Sequence, residues 1–192
     1  DLPGHGELVR AKTIHDESFD LYKEYIKQAV QVAVSYDLPI FIIGHGLGAT
    51  LVMKMLHKIE VQYAGVILTS PWLQLNKLPS KWTKTLAKIS VQQKINHDIQ
   101  LKELTRNYGA YQNLVDDPYY RTIISHGWYK ELENEMKTVS QYHESIPNVP
   151  LLLMTGERDK ITDTAAAKVW LKKQELSDYQ FKEWKNCFHD LY

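Results

Sequence analysis

From Phe19 to Tyr36 the apolar side chains Tyr22, Tyr25, Ile26, Ala29, Val30, Ala33 and Val34 recur at steps of three and four, with charged and amide residues between them. That period predicts an amphipathic helix. Asp37-Leu38-Pro39 ends it, since the residue before a proline is pushed out of the helical region. Ile40-Phe41-Ile42-Ile43 follows without polar alternation, the pattern expected of a strand buried on both faces. The run passes straight into Gly44-His45-Gly46-Leu47-Gly48, and helical spacing returns from Ala49 to Ile59 before a second apolar run at Ala64 to Leu68. Strand, tight glycine turn, helix and strand make a βαβ unit, so a parallel sheet with right-handed crossovers is expected.

Residues 71–146 differ in texture. They are rich in Lys, Gln, Asn and Tyr, and their periodic stretches are short, around Trp82 to Ile89, Ile99 to Arg106 and Lys130 to Tyr142. They read as a helical insertion, which divides one α/β core into residues 1–70 and 147–192. The core pattern resumes at Val149 to Met154 and continues with a loop from Thr155 to Thr162, a helix from about Asp163 to Gln174 and a strand at Gln180 to Trp184. An insertion after the strand near Thr69 emerges at the carboxyl edge of the sheet, over the glycine turn. Its aromatic content is in proportion to its length, so position and not composition makes it a candidate cap.

Composition removes several classes of function. The 192 residues carry 23 basic and 23 acidic side chains, a formal net charge of +0, which leaves no electrostatic footprint for nucleic acid. The longest apolar runs fall far short of the roughly 20 residues that cross a bilayer, so no transmembrane segment is expected. One cysteine, Cys187, excludes an internal disulfide and suits a reducing, cytoplasmic setting. No histidine pair has the spacing of a zinc motif, and no metal or other cofactor is expected. The opening Asp1-Leu2-Pro3-Gly4-His5-Gly6 has neither an initiator Met nor a leader-like segment, and so reads as the start of a piece of a longer chain.

The turn at 44–48 sits between a buried strand and a helix, where a nucleophile elbow places G-x-S-x-G. Flanking glycines let the chain turn sharply there, but the central position is Gly46 and not serine. A phosphate loop is the competing reading of three alternating glycines. It fails because the third spacing is wrong and the next strand ends in Thr69-Ser70 without an acidic residue. Two later segments complete the order nucleophile, acid, histidine: Gly156-Glu157-Arg158-Asp159 after one strand and Asn186-Cys187-Phe188-His189 after the next. Asp163 competes with Asp159 as the acid, yet it precedes Thr164-Ala165-Ala166-Ala167 and fits a helix cap better.

The segments DLPGHG at 1–6, GHGLGA at 44–49, TSPW at 69–72, GERDKITD at 156–163 and CFHDL at 187–191 resemble α/β-hydrolases of the monoacylglycerol lipase and lysophospholipase group, which includes related serine aminopeptidases. The resemblance spans essentially the whole chain. It implies an α/β-hydrolase fold: a mostly parallel sheet with helices on both faces and a helical cap insertion. It also implies that the opening strands precede Asp1, as does the loop bearing the second oxyanion donor. A sheet lacking its first strands has an unpaired edge, for which further chain or a partner such as a second copy is expected. Residue by residue, the resemblance makes Asp159 the orienting acid, His189 the general base and Leu47 an oxyanion-hole N–H donor. Gly46 then stands where the group has its serine, and His45 and Trp72 are candidate substrate contacts.

The reaction implied is hydrolysis of a carboxylic ester of a mono-acyl lipid, a monoacylglycerol or lysophospholipid, or of a small ester. Loss of a triad nucleophile costs on the order of a millionfold in kcat, so the chain with Gly46 is expected to be nearly inactive. The retained Asp159 and His189 favour a recent or engineered substitution. The alternatives are a non-catalytic lipid-binding homologue and a peptidase or amidase of the same fold. Cys187 has no elbow and reads as a half-buried strand-end thiol rather than a substitute nucleophile.

Overall fold

The structure, a computed structural model, describes residues 1–8, 16–77, 90, 92–142 and 145–192. Helix α1 (Phe19–Val34) starts at Ser18, whose hydroxyl accepts from the Leu21 N–H, a cap that satisfies one orphan donor. It buries Phe19, Tyr22 and Val30. Strand β1 (Ile40–His45), helix α2 (Leu47–Met55) and strand β2 (Tyr63–Thr69) form the expected βαβ unit, with β1 and β2 parallel.

β1 differs from expectation in burial. Phe41 and Ile43 are each 63% exposed, because β1 is an end strand of its sheet and, among the described residues, its outer edge and this part of its face carry no cover. Ile42, on the opposite face, packs against the main core. The apolar run marks a strand without revealing how many of its sides are covered.

Seven of nine residues of α2 are buried, since the helix lies between two apolar clusters. Ala49, Val52 and Met53 join Val66, Leu68, Leu151, Leu153 and Trp170 on one side. Leu47 and Leu51 join Phe19, Ile124, Trp128 and Leu132 on the other. Enclosure on both sides fixes the direction in which α2 leaves the turn at Gly46.

After β2 come strand β3 (Lys94–Asn96), helix α3 (Leu101–Leu104), helix α4 (Tyr108–Val115), strand β4 (Ile123–Ser125) and helix α5 (His126–Gln141). β3 and β4 pair antiparallel. This ribbon and α4 went unanticipated: three-residue strands are too short to show alternation, and α4 is a mixture of Tyr, Gly, Asn and Gln with no buried residue. The helix expected around Trp82 to Ile89 lies outside the described residues. On α5, buried Glu135 pairs with both Lys23 of α1 and Lys54 of α2, so one carboxylate ties three helices together.

Strand β5 (Leu151–Gly156), helix α6 (Thr164–Lys172) and strand β6 (Tyr179–Trp184) return to the sheet, and every pairing in it is parallel. Asp163 caps α6 by accepting from the Ala165 N–H. The carboxyl ends of β1, β5 and β6 therefore deliver residues 46, 159 and 189 to one edge of the sheet.

Candidate active site

β1 ends at His45 and α2 begins at Leu47, so a single residue makes the turn. Gly46 has φ 53° and ψ −120°, a combination that strains any residue with a side chain. Its N–H donates to the Thr69 carbonyl at 2.9 Å, and its carbonyl accepts from the Trp72 N–H at 3.3 Å, which fastens the turn to the end of β2. Gly44 is also required, since a Cβ there would lie 2.7 Å from Ala49 Cα. Gly48 is not: a Cβ there would meet nothing within 4 Å, so only one flank of the turn demands glycine for space.

Asp159 and His189 come together as the spacing suggested. His189 Nδ1 lies 2.9 Å from Asp159 Oδ2, and both side chains are buried. Asp159 also accepts from the Ile161 N–H at 2.7 Å, the Thr162 N–H at 3.0 Å and the Thr162 hydroxyl at 2.6 Å. Burial pushes this carboxyl upward, but the bonds from His189 and Thr162 outweigh it and hold the group below the usual carboxylate range. A two-stranded seam holds the acid's loop in place: Asn76 N–H donates to Ile161 O and Asp163 N–H to Gln74 O, both within 2.9 Å.

On the other side of the ring, Trp72 Nε1 lies 3.3 Å from His189 Nε2. Indole nitrogen can only donate, so Nε2 is the acceptor and the imidazole proton sits on Nδ1, facing Asp159. A Cβ built on Gly46 would lie 3.3 Å from His189 Nε2 and 3.1 Å from Trp72 Nε1. The space beside Gly46 is thus occupied by the edge of the Trp72 indole and does not lie open.

His45 forms a second pair next to the first. Its Nε2 is 3.0 Å from Asp190 Oδ1 and its Nδ1 is 2.9 Å from Thr69 Oγ1, while its ring centroid stands 4.9 Å from that of His189. Asp190, Thr162 and Ser70, whose hydroxyl donates to the His189 carbonyl at 2.7 Å, all belong to the site and escaped the sequence reading. Asp190 and Thr162 each adjoin or follow closely a residue already singled out, which is the signal that could have found them.

His45, Gly46, Leu47, Trp72 and His189 border one cavity of about 390 Å³. Most of its remaining wall is apolar, including Leu75, Ile99, Leu104, Ile124 and Leu132. All five come from residues between β2 and β5. Leu47 is the first residue of α2, and the first N–H groups of a helix have no partner within it. Together these groups supply a positioned imidazole acceptor, a backbone donor at a helix start, and an apolar chamber reaching both.

The family described as serine aminopeptidase, S33 matches the chain from residue 1 to residue 192. The chain belongs to that family. Among curated relatives, phospholipase YtpA of Bacillus subtilis is 28% identical over 197 residues, an alignment covering all of this chain and 76% of that protein. Monoglyceride lipase of Rattus norvegicus is 21% identical, covering all of this chain and 65% of its own length. Among solved structures, the monoacylglycerol lipase of Paleococcus ferrophilus superposes with a TM-score of 0.83 at 25% identity, covering 100% of this chain and 74% of that one. A soluble variant of monoglyceride lipase from Saccharomyces cerevisiae gives 0.80 at 18% identity, with 98% and 68% covered. The S33 family assignment and these superpositions establish the α/β-hydrolase fold. Among the described residues no helix is long and apolar enough to cross a membrane.

Proposed function

We propose that this member of the family is built as a serine-type carboxylic-ester hydrolase for mono-acyl lipids, held in a disabled form by glycine at position 46. The observation that carries the reading is the φ 53°, ψ −120° turn at Gly46, with His189 Nε2 3.3 Å from the place of a Cβ. A hydroxyl one bond further out falls within reach of that imidazole. His189 takes the proton from it as the oxygen attacks the ester carbonyl, and Asp159 holds the ring in the tautomer that can accept. The Leu47 N–H stabilises the oxyanion. His189 then returns the proton to the leaving alcohol, and water releases the acyl group by the same route.

The apolar wall suits an acyl chain, with residues 71–146 serving as cap over residues 1–70 and 147–192. The names of the relatives, phospholipase and monoglyceride lipase, support a glycerolipid ester as the bond cleaved. His45 and Trp72, on the cavity wall beside Gly46, are placed to touch the substrate near that bond. The lone thiol of Cys187, unpaired and half-buried, is compatible with the cytoplasm.

Gly46→Ser in the full-length protein tests the proposal. Covalent labelling by a fluorophosphonate and hydrolysis of short-chain esters are expected from the variant and not from the parent. A folded Gly46→Ser protein that neither labels nor turns over would sink it and leave the second reading, a lipid-binding module, which the glycine itself favours. An ester and amide panel on the same variant separates lipase from aminopeptidase chemistry.

A further inference from the structure

We propose that His45, His189 and Asp190 form a binding site for one zinc-type divalent cation, and that filling it silences the base. One nitrogen or carboxylate oxygen from each of the three lies within 4.8 Å of the other two. His45 Nε2 and Asp190 Oδ1 are already only 3.0 Å apart. The residues arrive from two distant parts of the chain, His45 at the end of β1 and the adjacent His189 and Asp190 beyond β6. A search for ligand spacing along one helix is blind to such a set.

The second layer of the site is in place. Histidines that bind metal through one ring nitrogen are held by a hydrogen bond at the other, often to a carboxylate. Here His189 Nδ1 is 2.9 Å from Asp159 Oδ2, and His45 Nδ1 is 2.9 Å from Thr69 Oγ1. Each ring therefore has its Nε2 on the side away from that anchor, where Trp72 bonds that of His189 and Asp190 that of His45. Two imidazoles and one carboxylate are a donor set that zinc accepts with a coordination position left open. They offer too few oxygens for calcium or magnesium. Asp190, with Asp159 behind His189, balances the charge of a divalent ion.

Tetrahedral zinc at about 2.0–2.1 Å from its ligands spaces them roughly 3.3 Å apart, so the widest separation must close by about 1.5 Å. His189 is pinned at 3% side-chain exposure, while His45 and Asp190 are 36% and 28% exposed and have room to move toward it. The three residues line the cavity, which gives an ion its path of entry. A metal on His189 Nε2 displaces the Trp72 N–H that bonds it at 3.3 Å. The lone pair that would accept a proton from residue 46 is now committed to the metal.

Calorimetric titration of the unmodified protein with zinc chloride tests the site, alongside cobalt chloride followed by visible absorption. The expected result is one saturable equivalent of zinc, the strong visible bands of four- or five-coordinate cobalt, and no saturable heat from magnesium. His45→Gln and Asp190→Asn, each shown to be folded by thermal melting, should weaken zinc at least tenfold. No saturable zinc, or affinity unchanged in both variants, overturns the proposal. Binding is read here without turnover, so it stands or falls separately from the hydrolase reading. If the Gly46→Ser protein labels with fluorophosphonate, zinc should slow labelling at least tenfold and a chelator should restore it; labelling indifferent to saturating zinc overturns the silencing.

Discussion

Trp72 donates its indole N–H to Nε2 of His189 across 3.3 Å, in the place where a nucleophile's hydroxyl would donate. A serine at position 46 must therefore compete with Trp72 as well as adopt the left-handed backbone. Its Cβ would stand 3.1 Å from the indole nitrogen and 3.3 Å from the imidazole, separations that require both rings to give way slightly. Gly46→Ser is expected to lower stability by about 1–3 kcal/mol, measured by urea unfolding. Adding Trp72→Phe to it removes the competing donor, and fluorophosphonate labelling should become faster than in the single variant.

Asp159 sets both tautomer and acid stability. In the Gly46→Ser background, Asp159→Asn should reduce kcat by about 10⁴, the loss measured for the equivalent change in a serine protease triad. Its native carboxyl titrates below the ordinary value, so the unfolded chain binds the proton more readily. The stabilisation is complete above the ordinary carboxylate pKa and disappears as pH falls through the depressed native one. Thermal melts from about pH 6 to about pH 2.5 should fall more steeply for the parent than for Asp159→Asn.

His97 makes a cavity wall sensitive to acid. Its Nδ1 accepts from the Ile99 N–H at 3.1 Å, which leaves the proton on Nε2 to bond the Arg121 carbonyl at 3.1 Å. Burial lowers this imidazole below its ordinary value, against the raising effects of Arg121 and Asp98. A histidine depressed in the native state contributes stability above the unfolded pKa of about 6.5, lost as pH falls toward the native value. His97→Gln should flatten the melting temperature between about pH 7.5 and about pH 5.5 relative to the parent.

Glu135 and Glu183 offer an internal comparison of ion pairs. The Glu135 side chain is 7% exposed and bonded to Lys23 and Lys54, so Glu135→Ala strands the partly buried Lys54, leaves Lys23 only the exposed Asp20, and should cost about 3 kcal/mol or more. Glu183, 34% exposed beside Lys168 at 41%, should cost about 0–1 kcal/mol on replacement by alanine. Urea titrations of the two variants check the ordering.

Much of the core was legible because strands β1, β2 and β5 are continuous apolar runs and their helices keep a 3.6-residue period. Gly44-His45-Gly46 and His189 were readable because motif and chain order constrain each other. Other features left no local mark. Phe41 and Ile43 carry the side chains of a covered strand and yet lie exposed, because coverage depends on what stands next to the strand. Trp72 gave no sign that its indole would reach His189, since that contact joins segments 117 positions apart. Asp190 and His45 meet across 145 positions, beyond any periodicity.

Gly156 closes β5, and a Cβ there would fall 2.0 Å from the Phe188 carbonyl and 2.6 Å from that of Cys187. The segment leading to His189 rests directly on the strand that leads to Asp159, backbone on backbone, further laced by Arg158 N–H to the Cys187 carbonyl. Acid and base are consequently one rigid piece. The elbow at Gly46 belongs to another, and the side-chain bonds that join the two include Trp72 on His189, Ser70 on the His189 carbonyl, His45 on Asp190 and Tyr192 on the Thr69 hydroxyl. Misalignment by heat, mutation or ligand should open along that seam first, leaving the Asp159–His189 spacing intact while the reach to residue 46 drifts.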